Sequence, residues 1–359
     1  MNTQRISPGQ VAALLIVMRL VPVTIQFPVV TATPDPAHAW QSALIGTLAA
    51  IPAVYLVFRL GSKYPEKTLV EIAEDVLGRL PGKIVSLVLV WYWLHVALNT
   101  ARALGEAYTA AIMPETPMLV FLLTTVALAA NAARCGLEVF ARMAEIIVVI
   151  VVVGLCLIIL LPYDVMRVDN LRPLLPDNIG PVIETSSLIL AFFAEFCVLG
   201  MLMPYVKGQS RIWKSVLFSV LLTGAITAAL TASVSLVFGA TSTSLALPTF
   251  SLARMISIAG FVERLEAIAM VAWTLGAAAK IALLLWAVSL GTAKVCGLRL
   301  MRHLVYAFGA LVVALGVCLY QSSVEFELFF EAKHWGVYSN AIGVGIIALL
   351  LIVSWIREV

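Results

Sequence analysis

Ten runs of about twenty apolar residues succeed one another along the chain, and two of them are interrupted at matching places. A helix needs about 20 apolar residues to cross a bilayer. Inside hydrocarbon only helices and closed barrels satisfy their own backbone. The runs lie at about 9–31, 40–60, 83–109, 117–133, 143–162, 182–206, 212–239, 263–292, 301–322 and 335–356. Of 359 residues, 62% are hydrophobic and 12% charged, whereas a soluble domain is nearer half and a quarter. The sequence predicts an all-α integral membrane protein of ten transmembrane helices. It shows no soluble domain, linker or short-period repeat.

The first interrupted run, Val11 to Val30, is broken at Pro22 and Pro28 and contains Arg19. The second, the sixth span, runs from Val182 to Val206, is loosened at Gly200 and Pro204, and contains Glu195. These are equivalent positions in two halves of five spans, 1–165 and 166–359, within one transmembrane domain 1–359. An odd number of spans per half makes the halves enter the membrane from opposite sides, as in an inverted repeat. Paired broken helices point to a transporter-type binding site near the bilayer midplane.

Basic residues set the orientation. With the N-terminus inside, inner segments hold 15 of them and outer segments only Arg167, Arg172, Arg254 and Lys333, so both termini are expected in the cytoplasm. Arg5, the first apolar run and Ala37-His38-Ala39 imitate a signal peptide. The run is too long and too proline-broken for one, and it is read as the first span. Residues 250–258 suit a short helix capping the outer face.

Charges at membrane depth are costly and mark function. Arg19 and Glu195 sit at similar depth and are candidates for an ion pair. The open alternative is that Arg19 reaches the interface and Glu195 accepts backbone N–H groups. On the third span Tyr92, His95, Asn99, Arg102 and Glu106 recur every three or four residues and share one face, which must turn inward. Arg102 and Glu106 can satisfy each other. His95 and Asn99 are either ligand contacts or interhelical glue. The eighth span opens with Glu263, Arg264 and Glu266 and continues with Trp273, Thr274 and Lys280 beside a small-residue face of Ala272, Gly276 and Ala279. Three readings of Lys280 stay open: a proton carrier, a lysine in the place where a sodium ion sits in related transporters, or a lysine that reaches a carbonyl at a helix end.

No hydrolytic, redox, metal-binding or nucleotide motif appears, and His38, His95, His303 and His334 are dispersed. The reading is therefore not an enzyme, with no cofactor, no metal and no nucleic acid. Five cysteines without a C-x-x-C spacing read as buried small residues. Gly343-Val344-Gly345 in the tenth span reads as a packing feature.

Three local patterns complete the picture. Ile6-Ser7-Pro8-Gly9-Gln10 leads into the first span. Gly136-Leu137-Glu138-Val139-Phe140-Ala141-Arg142-Met143-Ala144-Glu145 joins the fourth and fifth. Val262-Glu263-Arg264-Leu265-Glu266-Ala267-Ile268 opens the eighth, ahead of Trp273 and Lys280. Together with ten spans, this order resembles the B-subunit family of spore germinant receptors, also called endospore germination permeases, over essentially the whole chain. The family belongs to the amino acid–polyamine–organocation superfamily. The resemblance implies a leucine-transporter-like fold, a 5+5 inverted repeat with broken helices one and six. It also implies residence in the inner spore membrane and action with a larger A subunit and a lipoprotein C subunit to sense nutrients, commonly amino acids. One departure stands out: the first break, Val21-Pro22-Val23-Thr24-Ile25-Gln26-Phe27-Pro28, lacks the glycines that such permeases often carry. Arg19 is then a candidate source of positive charge for a ligand carboxylate.

The resulting expectation is a nutrient-sensing membrane subunit that binds a small molecule, an amino acid, at mid-bilayer. Thr24, Gln26, His95, Asn99, Glu195 and Trp273 are the candidate lining residues. Arg19, Glu195 and Lys280 are the candidate proton- or ion-coupling residues. A proton-coupled amino-acid permease acting alone and a structural scaffold of a receptor complex remain the alternatives.

Overall fold

The computed structural model describes residues 5–25, 36–256, 266–298 and 301–357. Among them nine helices are long and apolar enough to span a membrane: Pro36–Lys63, Arg79–Ala111, Met118–Cys135, Leu137–Asp164, Gly180–Tyr205, Ile212–Ser244, Ala269–Cys296, Met301–Cys318 and Ala332–Ile356. The helix Pro8–Ile25 precedes them, so all ten expected spans are helical where they are described; the helix continues through Pro22, where a break was expected, and Pro28 lies outside the described residues.

The first helix starts as its sequence dictates. The Ser7 backbone N–H donates to Gln10 Oε1 at 2.9 Å, and the Gln10 N–H donates to Ser7 Oγ at 3.1 Å. This is a capping box with proline at the first helical position. Just before it, Ile6 N–H donates to Tyr205 O at 2.8 Å and Lys207 N–H to Ile6 O at 2.9 Å. The entry of the first span is thereby tied to the end of the sixth. Gly136, at φ 105°, is the single residue between the fourth and fifth helices and takes a backbone conformation that side chains resist.

The eighth span is central. It packs on the first, third, fourth, fifth and ninth, while the second lies against the sixth and seventh. The sixth span is 89% buried inside the bundle and the ninth only 28%, so the interrupted sixth span is core and the ninth is rim. Gly276 lets the first span close on the eighth: a Cβ there would come within 2.4 Å of Val21 Cγ2. The small-residue face expected on the eighth span thus packs within the fold at this position.

The sixth span breaks earlier than its glycine and proline suggest. It is α-helical over Gly180–Ala194, tightens to a 3-10 turn over Glu195–Val198, recovers for Leu199–Leu202, and ends in a second tight turn, Met203–Tyr205. Pro204 accounts for the second turn, since it has no N–H to donate. Gly200 serves packing instead: a Cβ there would sit 3.0 Å from Leu69 Cβ. The tenth span carries two wide π turns, Ala332–Gly336 and Ala341–Ile346.

Between the second and third spans runs an amphipathic helix, Leu69–Leu77. The Thr68 N–H and hydroxyl donate to Glu71 Oε2 at 3.0 and 2.7 Å, and Lys294 donates to Glu71 Oε1 at 2.7 Å. Burial pushes the Glu71 carboxyl up, but these donors outweigh it and hold it below its ordinary value. A short helix, Pro248–Arg254, overlaps the first part of the segment expected at 250–258; residues 257 and 258 lie outside the described residues. The cysteines depart from expectation. All five are free, but only Cys197 is buried; Cys135, Cys156, Cys296 and Cys318 are exposed. In a membrane bundle the lipid-facing surface is as apolar as the core, so an apolar neighbourhood does not mean burial.

Candidate functional site

Glu195 is the first residue of the tight turn in the sixth span, and its Oε2 accepts a hydrogen bond from Lys280 Nζ at 2.7 Å. Both side chains are 2% exposed. The Arg19 side chain is fully buried, with its guanidinium carbon 4.6 Å from the Phe193 ring centre and 5.4 Å from that of Phe192. Those rings lie three and two residues before Glu195, and the Arg19 charge acts on its carboxylate through space. The ion pair at Glu195 is therefore made by Lys280, and Arg19 rests on aromatic faces in a cation–π arrangement. Arg19 does not reach the interface, and Lys280 finds a carboxylate rather than a carbonyl. Three spans contribute one charge each: the first, the sixth and the eighth.

The third-span stripe is buried, as its period requires, but it turns toward the ninth and tenth spans. Tyr320 OH donates to Asn99 Oδ1 at 3.0 Å. Its oxygen must then accept from His95 Nε2, 3.1 Å away, which leaves His95 Nδ1 to accept from Tyr338 OH, also at 3.1 Å. The imidazole is thus fixed as the Nε2–H tautomer by its neighbours. Ser339 Oγ donates to Ala191 O at 2.6 Å, so Tyr92 OH, 2.6 Å from Ser339 Oγ, is the donor in that pair. Arg102 donates through Nε to Glu106 at 2.8 Å and through Nη1 to Gly316 O and Tyr320 O at 3.0 and 3.2 Å. It satisfies carbonyls at the end of the ninth span. His95 and Asn99 are consequently joined to Tyr320 and Tyr338, not to Glu195. Tyr320→Phe will strand both His95 Nε2–H and Asn99 Oδ1 and lower stability by about 1–3 kcal/mol. Thermal melting of the purified chain reads this, and an unchanged melting temperature would contradict the network.

Trp273 lies about two helical turns along the eighth span from Lys280. It is 2% exposed, packs on Phe250 of the short capping helix, and lines a narrow apolar crevice with Val21, Val151, Leu155 and Ala272. Its neighbour Thr274 meets Tyr108 OH at 2.6 Å and ties the eighth span to the third. Of the other sequence candidates, the Thr24 side chain and Gln26 lie outside the described residues, as do Glu263 and Arg264.

One feature escaped the sequence reading. Ser219, Thr223, Thr227, Thr231 and Ser235 of the seventh span are all buried. Each hydroxyl donates to the carbonyl four residues earlier, at 2.7–3.0 Å. A strict period of four was the available signal. The hydroxyls of Thr223, Thr227 and Thr231 are spent on their own helix, whereas Ser219 Oγ also lies 3.3 Å from Ala12 O and Ser235 Oγ 2.6 Å from Pro36 O, so the two ends of the stripe reach neighbouring segments. Close by, a Cβ on Gly224 would lie 2.1 Å from Thr47 Cγ2 of the second span.

Comparison with known proteins adds independent findings. The family model described as "Spore germination protein" matches residues 5–325. Spore germination protein YndE of Bacillus subtilis (strain 168) is 26% identical over 299 residues, covering 82% of each chain. Spore germination protein KB of the same organism is 24% identical over 326 residues, covering 89% of this chain and 86% of that one. Among solved structures, a Na+-coupled sialic acid symporter in a substrate-bound outward-open state superposes with a TM-score of 0.68 at 12% identity, over 98% of this chain and 90% of the other. MhsT in complex with L-phenylalanine gives 0.67 at 14%, over 99% and 90%. At such identities it is the fold that is shared, and it is the leucine-transporter-like fold expected from the sequence.

Proposed function

Because the chain belongs to the spore germination protein family, we propose that it is the membrane subunit of a nutrient germinant receptor, binding an amino acid at mid-bilayer and signalling to partner subunits. The observation that carries this reading is the charge cluster at the sixth-span turn. Arg19 and Lys280 bring two positive charges to one carboxylate, Glu195. An amino-acid carboxylate entering beside Arg19 balances them, and Glu195, held by Lys280, fixes the turn against which the ligand rests. MhsT, of the same fold, holds L-phenylalanine, which supports the ligand class. Thr24 and Gln26 follow Arg19 in the chain and complete the proposed pocket. His95, Asn99 and Trp273 act in the packing against which the interrupted spans shift.

Signalling requires that the ligand favour one arrangement of these spans over another. The partners in this proposal are the A and C subunits, and the site of action is the inner spore membrane. The excess of basic residues in alternate loops supports cytoplasmic termini, and in the proposed inverted halves 1–165 and 166–359 the first and sixth spans are the matching pair that carries Arg19 and Glu195. Arg19→Gln and Glu195→Gln are each expected to reduce amino-acid sensitivity of germination at least about tenfold, or about 1.4 kcal/mol, at unchanged protein level. Normal sensitivity in both would remove the pocket from this position.

The fold shared with a Na+-coupled symporter favours one second reading, a permease that transports alone. Uptake of radiolabelled amino acids into proteoliposomes, with and without an inward proton gradient, separates the two. Gradient-driven accumulation makes it a permease, and no accumulation by folded protein leaves the sensor.

A further inference from the structure

We propose that Lys280 is a built-in counter-cation that makes this chain independent of Na+ and K+, and that Glu195 is a latent alkali-cation site which Lys280 keeps closed. Glu195 is the fully buried acidic side chain of the membrane core among the described residues. A carboxylate at that depth requires a positive partner. That partner is either a mobile ion or a fixed group, and here it is fixed. The ammonium stands 2.7 Å from Oε2, the position a bare cation would take. It is covalently held to the eighth span and does not leave.

A second cation is excluded by charge as well as by space. It would meet the Lys280 ammonium at contact distance, with the Arg19 guanidinium held on Phe193 on the other flank. Like charges at such separations in a low-dielectric interior repel strongly. A carboxylate, a lysine and an arginine therefore do not fit an alkali-ion site. No Na+ or K+ gradient can act through a cation that is covalently held and never exchanges. This inference holds whether the chain senses or transports.

Removing the ammonium reverses the situation. In Lys280→Ala the 2.7 Å position is vacated, Arg19 stays on the faces of Phe192 and Phe193, and Glu195 takes up an alkali ion. The full chain is purified and examined by 22Na+ equilibrium binding and by thermal melting in Na+, K+ or N-methyl-D-glucamine chloride at matched ionic strength. Wild-type protein is expected to bind no saturable 22Na+ and to melt identically in all three salts. Lys280→Ala is expected to bind 22Na+ at a single saturable site and to melt higher in Na+ than in N-methyl-D-glucamine. Both effects should vanish in Lys280→Ala/Glu195→Gln.

Saturable binding to the wild type, or a melting temperature that rises with either alkali ion, overturns the first half of the proposal. A folded Lys280→Ala that ignores Na+ overturns the second, since Arg19 or a proton then compensates Glu195. If Lys280→Ala does not fold, Lys280→Gln replaces it. The wild-type measurement decides the first half in every case.

Discussion

Lys280→Met lowers the stability of the chain by about 3–5 kcal/mol, the typical result of removing one partner of a buried ion pair. Methionine keeps the length and apolar bulk of lysine, so the loss is electrostatic rather than a cavity. It leaves the Glu195 carboxylate 2% exposed and without the donor that stood 2.7 Å away. The companion variant Lys280→Met/Glu195→Gln removes the stranded charge and is expected to regain most of that loss. Replacing both charges of a buried pair is often close to neutral, whereas breaking the pair is not. Melting of the wild type, both single variants and the double variant closes a double-mutant cycle. If Lys280→Met is no less stable than the double variant, the pair does not have the role assigned to it.

Gly343→Ala separates the tenth span from the interruption of the sixth. Gly343 lies in the wide turn Ala341–Ile346. A Cβ added there would come within 2.4 Å of Ala194 O and 2.8 Å of Ala194 C. These are backbone atoms, immediately before Glu195, and they cannot rotate aside as a side chain would. Overpacking of this kind costs about 1–3 kcal/mol, and the displacement falls on the turn that carries the charge cluster. Gly345, two residues on, provides the control. A Cβ there has only Asn340 O at 3.8 Å, an ordinary contact, and alanine improves on glycine inside a helix by up to about 1 kcal/mol. The two substitutions, alike in sequence, should shift melting in opposite directions. In the proposed receptor only Gly343→Ala should also change germinant sensitivity. Equal effects at both positions would refute the close approach.

Local patterns proved legible where both partners lie within one or two helical turns. Ser7 and Gln10 form their capping box, and Arg102 meets Glu106 at the next turn. The face of Tyr92, His95, Asn99 and Arg102 is buried, as its spacing demands. The same spacing says nothing of the direction that face takes around the bundle. That is why the spacing left His95 and Asn99 open between ligand contact and interhelical glue, and only the packed structure showed Tyr320 and Tyr338 as their neighbours. The cysteines illustrate the same limit from the apolar side, because hydropathy does not distinguish a neighbouring helix from a lipid chain.

By itself the sequence determined that the chain is helical, that it spans the membrane about ten times, and that its first and sixth spans carry charge at depth. Those properties follow from the cost of exposing backbone and charge to hydrocarbon, a cost each segment meets on its own. Which charge meets which was decided only by the tertiary structure. Glu195 and Lys280 are 85 residues apart. Arg19 was the partner expected from depth, yet Lys280 makes the 2.7 Å contact and Arg19 lies on the Phe193 ring. Rotation about each helix axis and the distance between axes are set by packing among all the spans together, and no single span encodes them.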